Sequence, residues 1–281
     1  MEPNQNVFER GAVAVLDALG FKGIWERVSP DVVLKNLQIL AAGLERLESI
    51  NAVGKLERHG SAGTEVPGDA VHVRNSLKAF SDTIVITTTL DVSATAPKEF
   101  VQFFTPFRDL ATVINACELI SVVLGAAATE IEAPLLYRGA LTFGEFLSAR
   151  QFLIGPAIDE AAPAERLAEA AMVWLCPRAR EIIDEAELRT GRIEDDGQGG
   201  LALVRDYPVP LKEGRFLKTH VVNPLLRTPK LPEAVAQDMM AAFGSTDDPA
   251  VIVKRQNTET FLKHALAMAK TDPLRRRLFD A

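Results

Sequence analysis

The run Gly11-Ala12-Val13-Ala14-Val15-Leu16 is apolar at every position and closes on Asp17. A short apolar run of this kind reads as a buried strand, so the chain is committed to a sheet with this strand in its interior. Gly20 and Gly23 follow and mark a tight turn. A helix is expected from Pro30-Asp31, because Val33, Leu37, Leu40, Leu44 and Leu47 recur at spacings of three and four. Residues 51–70, rich in Gly, Ser, Thr and charge, read as a loop. Val71, Val73 and Leu77 approach a turn at Phe80-Ser81-Asp82-Thr83, and Ile84-Val85-Ile86-Thr87 leaves it, which is a hairpin pattern.

Lys98 to Gly125 reads as helix, rich in Phe, Leu, Ile and Val. A second hairpin is expected from Leu135–Glu145 and Phe152–Ile154. Gly155-Pro156 then opens one long Ala- and Glu-rich helix to about Glu187, and residues 191–200 (GRIEDDGQGG) read as a loop. Prolines at 208, 210, 224, 229 and 232 limit regular structure beyond it to a short strand near Leu201–Val204 and a last helix over Asn257–Lys270. The expected fold class is α+β, a mainly antiparallel sheet flanked by helices. A first domain would cover residues 1–190, and residues 191–281 would form an extension packed on it.

Composition narrows the function classes. The 281 residues are 47% hydrophobic and 25% charged, which excludes disorder as the main state. No stretch of about 18 residues escapes a charge or a proline, so no membrane partner is expected. The polar, acidic start (Met1-Glu2-Pro3-Asn4-Gln5-Asn6) shows no secretory signal, and a cytoplasmic location is expected. A formal net charge of −7 argues against nucleic acid as a partner. His59, His72, His220 and His264 lack metal-ligand spacing, so zinc is not expected. Cys117 and Cys176 lie far apart in apolar helical text and read as buried thiols.

Asp17 and Asp82 carry the chemical interest. One follows the buried strand and the other occupies the hairpin turn, so both carboxylates are expected to converge at one edge of the sheet. Converging carboxylates without His or Cys suit a hard cation such as Mg²⁺ or Mn²⁺. The backbone N–H groups of the Gly20-Phe21 turn are placed to cradle phosphate. Together these features describe a nucleoside-triphosphate site. Taken singly, an Asp at such a position is more often a turn former or a helix cap.

Four segments in this order carry a resemblance: Val15-Leu16-Asp17-Ala18-Leu19-Gly20-Phe21, Ser81-Asp82-Thr83-Ile84, Tyr137-Arg138-Gly139-Ala140-Leu141-Thr142-Phe143-Gly144, and Gly155-Pro156-Ala157. Over residues 11–187 the chain resembles the class III nucleotidyl cyclase catalytic domain, with its ferredoxin-like palm. It looks most like the Pycsar-type bacterial pyrimidine cyclases. The resemblance implies that Asp17, Asp82 and the Ala18 carbonyl bind two Mg²⁺ or Mn²⁺ ions, and that Leu19, Gly20 and Phe21 cradle phosphate. It implies attack of a ribose 3′-hydroxyl on the α-phosphorus with loss of pyrophosphate. It also implies a homodimer, and a separate effector protein activated by the cyclic product in antiphage defence.

Departures from the family pattern refine that reading. Counting back six residues from Asp82, the purine-reading lysine position holds Ser76, and its acidic partner position holds Phe152. On that count a pyrimidine triphosphate is favoured, UTP ahead of CTP. Asp159 and Pro163 stand where Asn and Arg are expected, leaving Arg166, Lys254 and Arg138 as candidates to stabilise phosphate charge. Two alternatives accompany this reading: a catalytically degenerate nucleotide sensor, and an adenylate or guanylate cyclase.

Overall fold

In the computed structural model, which describes residues 8–19, 28–47, 70–80, 82–129, 134–149, 152–190, 201–228 and 230–269, the first strand β1 spans Glu9–Leu19. It outruns the apolar segment at both ends because its backbone finds partners on both sides. β3 (Thr83–Val92) lies antiparallel on one side and β4 (Leu136–Ala149) on the other. Asp17 therefore sits inside the strand, opposite Arg138 of β4, and not at its end. β2 (Val71–Phe80) completes the expected hairpin with β3.

The helix after β1 is α1 (Pro30–Leu47). After β3 come α2 (Lys98–Phe104), a 3₁₀ turn at Thr105–Phe107, and α3 (Arg108–Thr129). The βαββαβ succession with strand order β2-β3-β1-β4 is the ferredoxin-like arrangement. The period of two in a strand sorts β1 between the faces. Ala12, Ala14, Leu16 and Ala18 join Ile84, Ile86 and the α3 residues Val113, Cys117 and Ile120 in the largest core. Val13 points the other way, to Phe146 and Ala157. Asp17 shares the parity of Val13 and so belongs to the face that α1 and α3 leave uncovered.

α3 shows why apolar length alone misleads. The Lys98–Thr129 stretch, although interrupted by Asp109 and Glu118, is long and apolar enough to cross a membrane by length and composition, yet 89% of its most apolar window is buried in the fold. A helix apolar all round belongs in an interior, and this one forms the core behind the sheet.

The long helix expected over 156–187 is corrected. α4 (Pro156–Ala164) stops early, the strand β6 (Val173–Leu175) follows, and α5 (Pro177–Thr190) comes after it. β6 runs parallel to β4, making the sheet mixed. β5 (Phe152–Ile154) pairs with the far end of β4. The proline-broken region is likewise more regular than expected. β7 (Leu203–Leu211) and β8 (Arg215–Val222) form a hairpin, and β8 joins β6, so the full order is β2-β3-β1-β4-β6-β8-β7.

Pro208 and Pro210 are tolerated because β7 is an edge strand. The carbonyl of Pro210 accepts from the Glu169 N–H at 2.9 Å, on the side away from β8. Its ring nitrogen faces the same way, as does that of Pro208 two residues earlier, so no ladder donor is lost.

The last helices are α6 (Pro232–Ala241) and α7 (Pro249–Ala269). α7 starts a full two turns before the expected Asn257, because the Asp248 carboxylate accepts from Ala250 N–H and Pro249 needs no donor at the first position. Phe261, Leu262 and Ala265 of α7 pack with Trp174, Val204, Tyr207 and Val221, so residues after 190 share both sheet and core with those before. The buried Glu118 of α3 fastens this part: it pairs with Arg227 and accepts from Ala202 N–H. Cys117 and Cys176 are both free and buried. Expectations for residues 20–27, 51–69, 191–200 and 274–277, and for the side chains of Leu37, Leu40, Leu44 and Leu47, lie outside the described residues.

Candidate functional site

The segments that carry the two acids meet at one end of the sheet. Asp17 pairs in register with Thr83, and Asp82 precedes it in the β2–β3 turn. The Ala18 N–H donates to the Asp82 carbonyl at 3.0 Å, so the backbones of the two acidic segments are directly joined. N–H and C=O of one residue point to the same side of an extended strand, so the Ala18 carbonyl also faces the Asp82 end. Leu19 closes β1 and packs against the second core. Gly20 and Phe21 lie outside the described residues.

Asp17 is already partnered. Oδ2 accepts from Arg138 Nη2 at 2.8 Å and from Nε at 3.2 Å, a cross-strand ion pair made possible by the Asp17–Arg138 register. Behind Arg138 stands Glu165, in the turn after α4, with its side chain only 4% exposed. Glu165 Oε1 accepts from Arg166 Nε at 2.7 Å, while Oε2 is buried, has no hydrogen-bond partner among the described residues, and lies 3.8 Å from Arg138 Nε. Burial pushes the Glu165 carboxyl up, and the Arg166 hydrogen bond pulls it back. Arg166 is exposed, and beyond Glu165 it feels the charges of Asp17 and Asp82. Tyr137, next to Arg138, has its hydroxyl pushed up by burial first and by Asp82 second. Asp17, Asp82, Arg138, Glu165 and Arg166 thus form one electrostatic cluster.

The remaining candidates are dispersed. Lys254 lies on α7, one turn before Thr258, whose hydroxyl accepts from Ala171 N–H. Among the described residues no hydrogen bond or ion pair joins Lys254 to either Asp. Asp159 and Pro163 are exposed on α4. Ser76 is exposed on β2, opposite Thr87. Its neighbour on the same face, Lys78, reaches Phe152: Nζ donates to the Phe152 carbonyl at 3.1 Å and to Ser148 Oγ at 3.0 Å. For that contact the end of β4 and β5 must fold back over the face that carries Asp17. The Phe152 ring itself is 64% exposed.

The six-residue count stops at Ser76, whereas the β2 side chain that reaches Phe152 is that of Lys78, two residues on. Lys78 and Glu165 are the residues that sequence reasoning missed. No sequence signal pointed to the first, because Lys78 meets Phe152 only through the folding back of β4 and β5. For the second, burial of an acid was illegible without the fold.

Two carboxylates and a strand carbonyl are oxygen donors of the kind Mg²⁺ uses when it keeps several waters and shares its shell with substrate phosphates. Among the described residues no group of three His, Cys, Asp or Glu side chains is placed to hold a metal unaided. The donor set fits a cation bound together with a triphosphate, and not a dedicated protein cage.

No protein-family model and no curated protein matches the sequence. Among solved structures, the chain is similar to the catalytic core of a rhodopsin-guanylyl cyclase with converted specificity, in complex with ATPαS. Identity is 14%, with 76% of this chain and 95% of that chain covered at a TM-score of 0.43. It is similar also to a bacterial light-regulated adenylyl cyclase, at 14% identity, covering 85% of this chain and 58% of that one with a TM-score of 0.37. The fold assignment rests on the strand order and register above.

Proposed function

We propose that this chain binds a nucleoside triphosphate with a divalent cation at the Asp17–Asp82 edge and cyclises it to the 3′,5′-monophosphate, releasing pyrophosphate. The observation that carries this reading is the Ala18 N–H to Asp82 carbonyl bond, which joins the backbones of the two acidic segments, with Arg138 on Asp17 and Arg166 within the field of both acids. Asp17, Asp82 and the Ala18 carbonyl would hold the cation, with Mg²⁺ or Mn²⁺ as the fitting choice. When bound, it supplies a lowered pKa for the ribose 3′-hydroxyl and charge neutralisation on the triphosphate. Arg138 and Arg166 offset the charge that develops on the transferring and leaving phosphates. No covalent intermediate on the protein is needed.

For the base we favour a purine, ATP or GTP. The pyrimidine reading, with UTP first and the Pycsar-type role attached to it, rested on Ser76 and Phe152 offering no polar pair. Lys78 and Ser148 beside Phe152 supply an ammonium and a hydroxyl there, which removes that ground. The reading carries a homodimer with it, because the resembling enzymes complete each site from a second copy. A second reading, a nucleotide sensor without turnover, is favoured by the exposed Asp159 and Pro163 at the expected Asn and Arg positions.

Incubation with each of the four ribonucleoside triphosphates and Mn²⁺ or Mg²⁺, with products identified by mass, tests all of these. Cyclic AMP or GMP, lost in Asp17→Asn and Asp82→Asn, is expected. Cyclic UMP or CMP would overturn the base assignment, and nucleotide binding without any product would replace the enzyme by the sensor.

A further inference from the structure

Glu165 Oε2 is an anomaly that the cyclase reading leaves unexplained. A buried carboxylate oxygen without a hydrogen bond is costly, and such atoms are rare in folded proteins. It is not isolated, however. Arg138 Nε lies 3.8 Å away, while that same Nε and Nη2 are both committed to Asp17 Oδ2. Two carboxylates therefore compete for one guanidinium, and Asp17 holds it.

A divalent cation at Asp17 changes this balance. It places two positive charges on the carboxylate that carries Arg138, and cation and guanidinium then repel at short range. Arg138 has a side chain only 13% exposed, so release without a new partner would leave a largely buried charge unpaired. Glu165 Oε2 supplies that partner. A shift of about 1 Å brings Nε from 3.8 Å to charge-assisted hydrogen-bond distance.

We propose that Glu165 is a positioning residue that receives Arg138 when a divalent cation displaces it from Asp17. Arg138 is thus an internal occupant of the cation site, and Glu165 sets how easily it leaves. This rests on the cation site proposed above, and it assigns to Glu165 a role in loading that site, separate from the chemical step.

Binding of Mn²⁺ alone, without nucleotide, read by electron paramagnetic resonance in a double-mutant cycle, tests it. Glu165→Gln is expected to weaken Mn²⁺ binding about five- to tenfold, the scale of a close charge pair. Arg138→Gln is expected to tighten binding, and adding Glu165→Gln to it should leave affinity within about twofold of Arg138→Gln alone, since nothing is left to receive. If Glu165→Gln weakens binding equally in both backgrounds, Glu165 acts only as a nearby negative charge and the proposal fails. No effect in either background also refutes it. If Glu165→Gln melts too low to assay, Glu165→Asp replaces it. That variant keeps the charge but withdraws the oxygen from Arg138, so weakened binding is expected and unchanged affinity refutes the role. Asp17→Asn separates the two levels: Mn²⁺ binding that survives it overturns the cation site itself, whereas loss in Asp17→Asn with an additive cycle overturns only Glu165.

Discussion

Gly139→Ala tests whether the contact between β1 and β4 is as close as the site requires. Gly139 lies opposite Leu16, next to the Asp17–Arg138 pair. A Cβ at this position would stand 2.5 Å from the Val15 carbonyl oxygen and 3.2 Å from Leu16 Cα, both backbone atoms of the central strand. Ordinary carbon–oxygen contact begins near ~3.3 Å, so the strands must part by roughly 0.8 Å. Neither can yield alone, because β1 is held by β3 on its other side and β4 by β6. Overpacking of this kind costs about 1–3 kcal/mol, offset by about 0.5–1 kcal/mol from removing glycine's freedom in the unfolded chain.

A net loss of about 1–2 kcal/mol is expected, a melting-temperature fall of roughly 2–8 °C for a chain of this size. Gly144→Ala is the control on the same strand. Its Cβ would meet Arg178 Nη1 at 3.3 Å, the far end of an exposed side chain free to move. Its melting temperature should stay level or rise slightly. Equal effects of the two substitutions by differential scanning calorimetry, or a Gly139→Ala protein as stable as wild type, would refute the strand geometry on which the placement of Arg138 depends.

Glu118→Ala should cost about 3–5 kcal/mol in denaturant unfolding, since it removes a buried charge partner of Arg227 and the acceptor of the Ala202 N–H. His220 is held neutral by burial against the opposing pull of Asp184, so its folded pKa lies below the unfolded value. The unfolded chain binds that proton first. Stability is therefore full above about pH 6.5 and falls below it by up to ~1.4 kcal/mol per pH unit. In a pH series of thermal melts, His220→Gln should flatten that slope. Burial pushes the Cys176 thiol up to about 12, with Glu160 adding to it, and raises Cys117 in the same way. Neither should react with a disulfide reagent at neutral pH until the protein is unfolded, when both should.

The elements legible in the sequence are those whose pattern is local. β1 announced itself by continuous apolarity, the β2–β3 hairpin by alternation around a polar turn, and α1 by its spacing. β6 did not, because Val173-Trp174-Leu175 is buried on every side and three apolar residues carry no period. Embedded in Ala- and Glu-rich text, it read as helix. The β7–β8 hairpin was hidden by prolines whose harm depends on which way their nitrogens face, and that is decided by sheet order. In the site, the segments of Asp17 and Asp82 were brought to one edge by reading a strand and a turn, although β1 runs on past Asp17 to Leu19. Arg138 came only as one of three cations, since its pairing with Asp17 is a matter of register. Lys78 was missed because a count along one strand cannot show that β5 folds back over the sheet to meet it.

The outward prolines of β7 have a consequence for behaviour at high concentration. A sheet border is a template on which another chain can add a strand, and a row of free donors is what such an addition needs. At 208 and 210 the row has no donors, and the Glu169 N–H already takes the Pro210 carbonyl. The border of the sheet farthest from Asp17 is therefore closed to fibril-type growth, even though Phe216 on the neighbouring strand is 70% exposed.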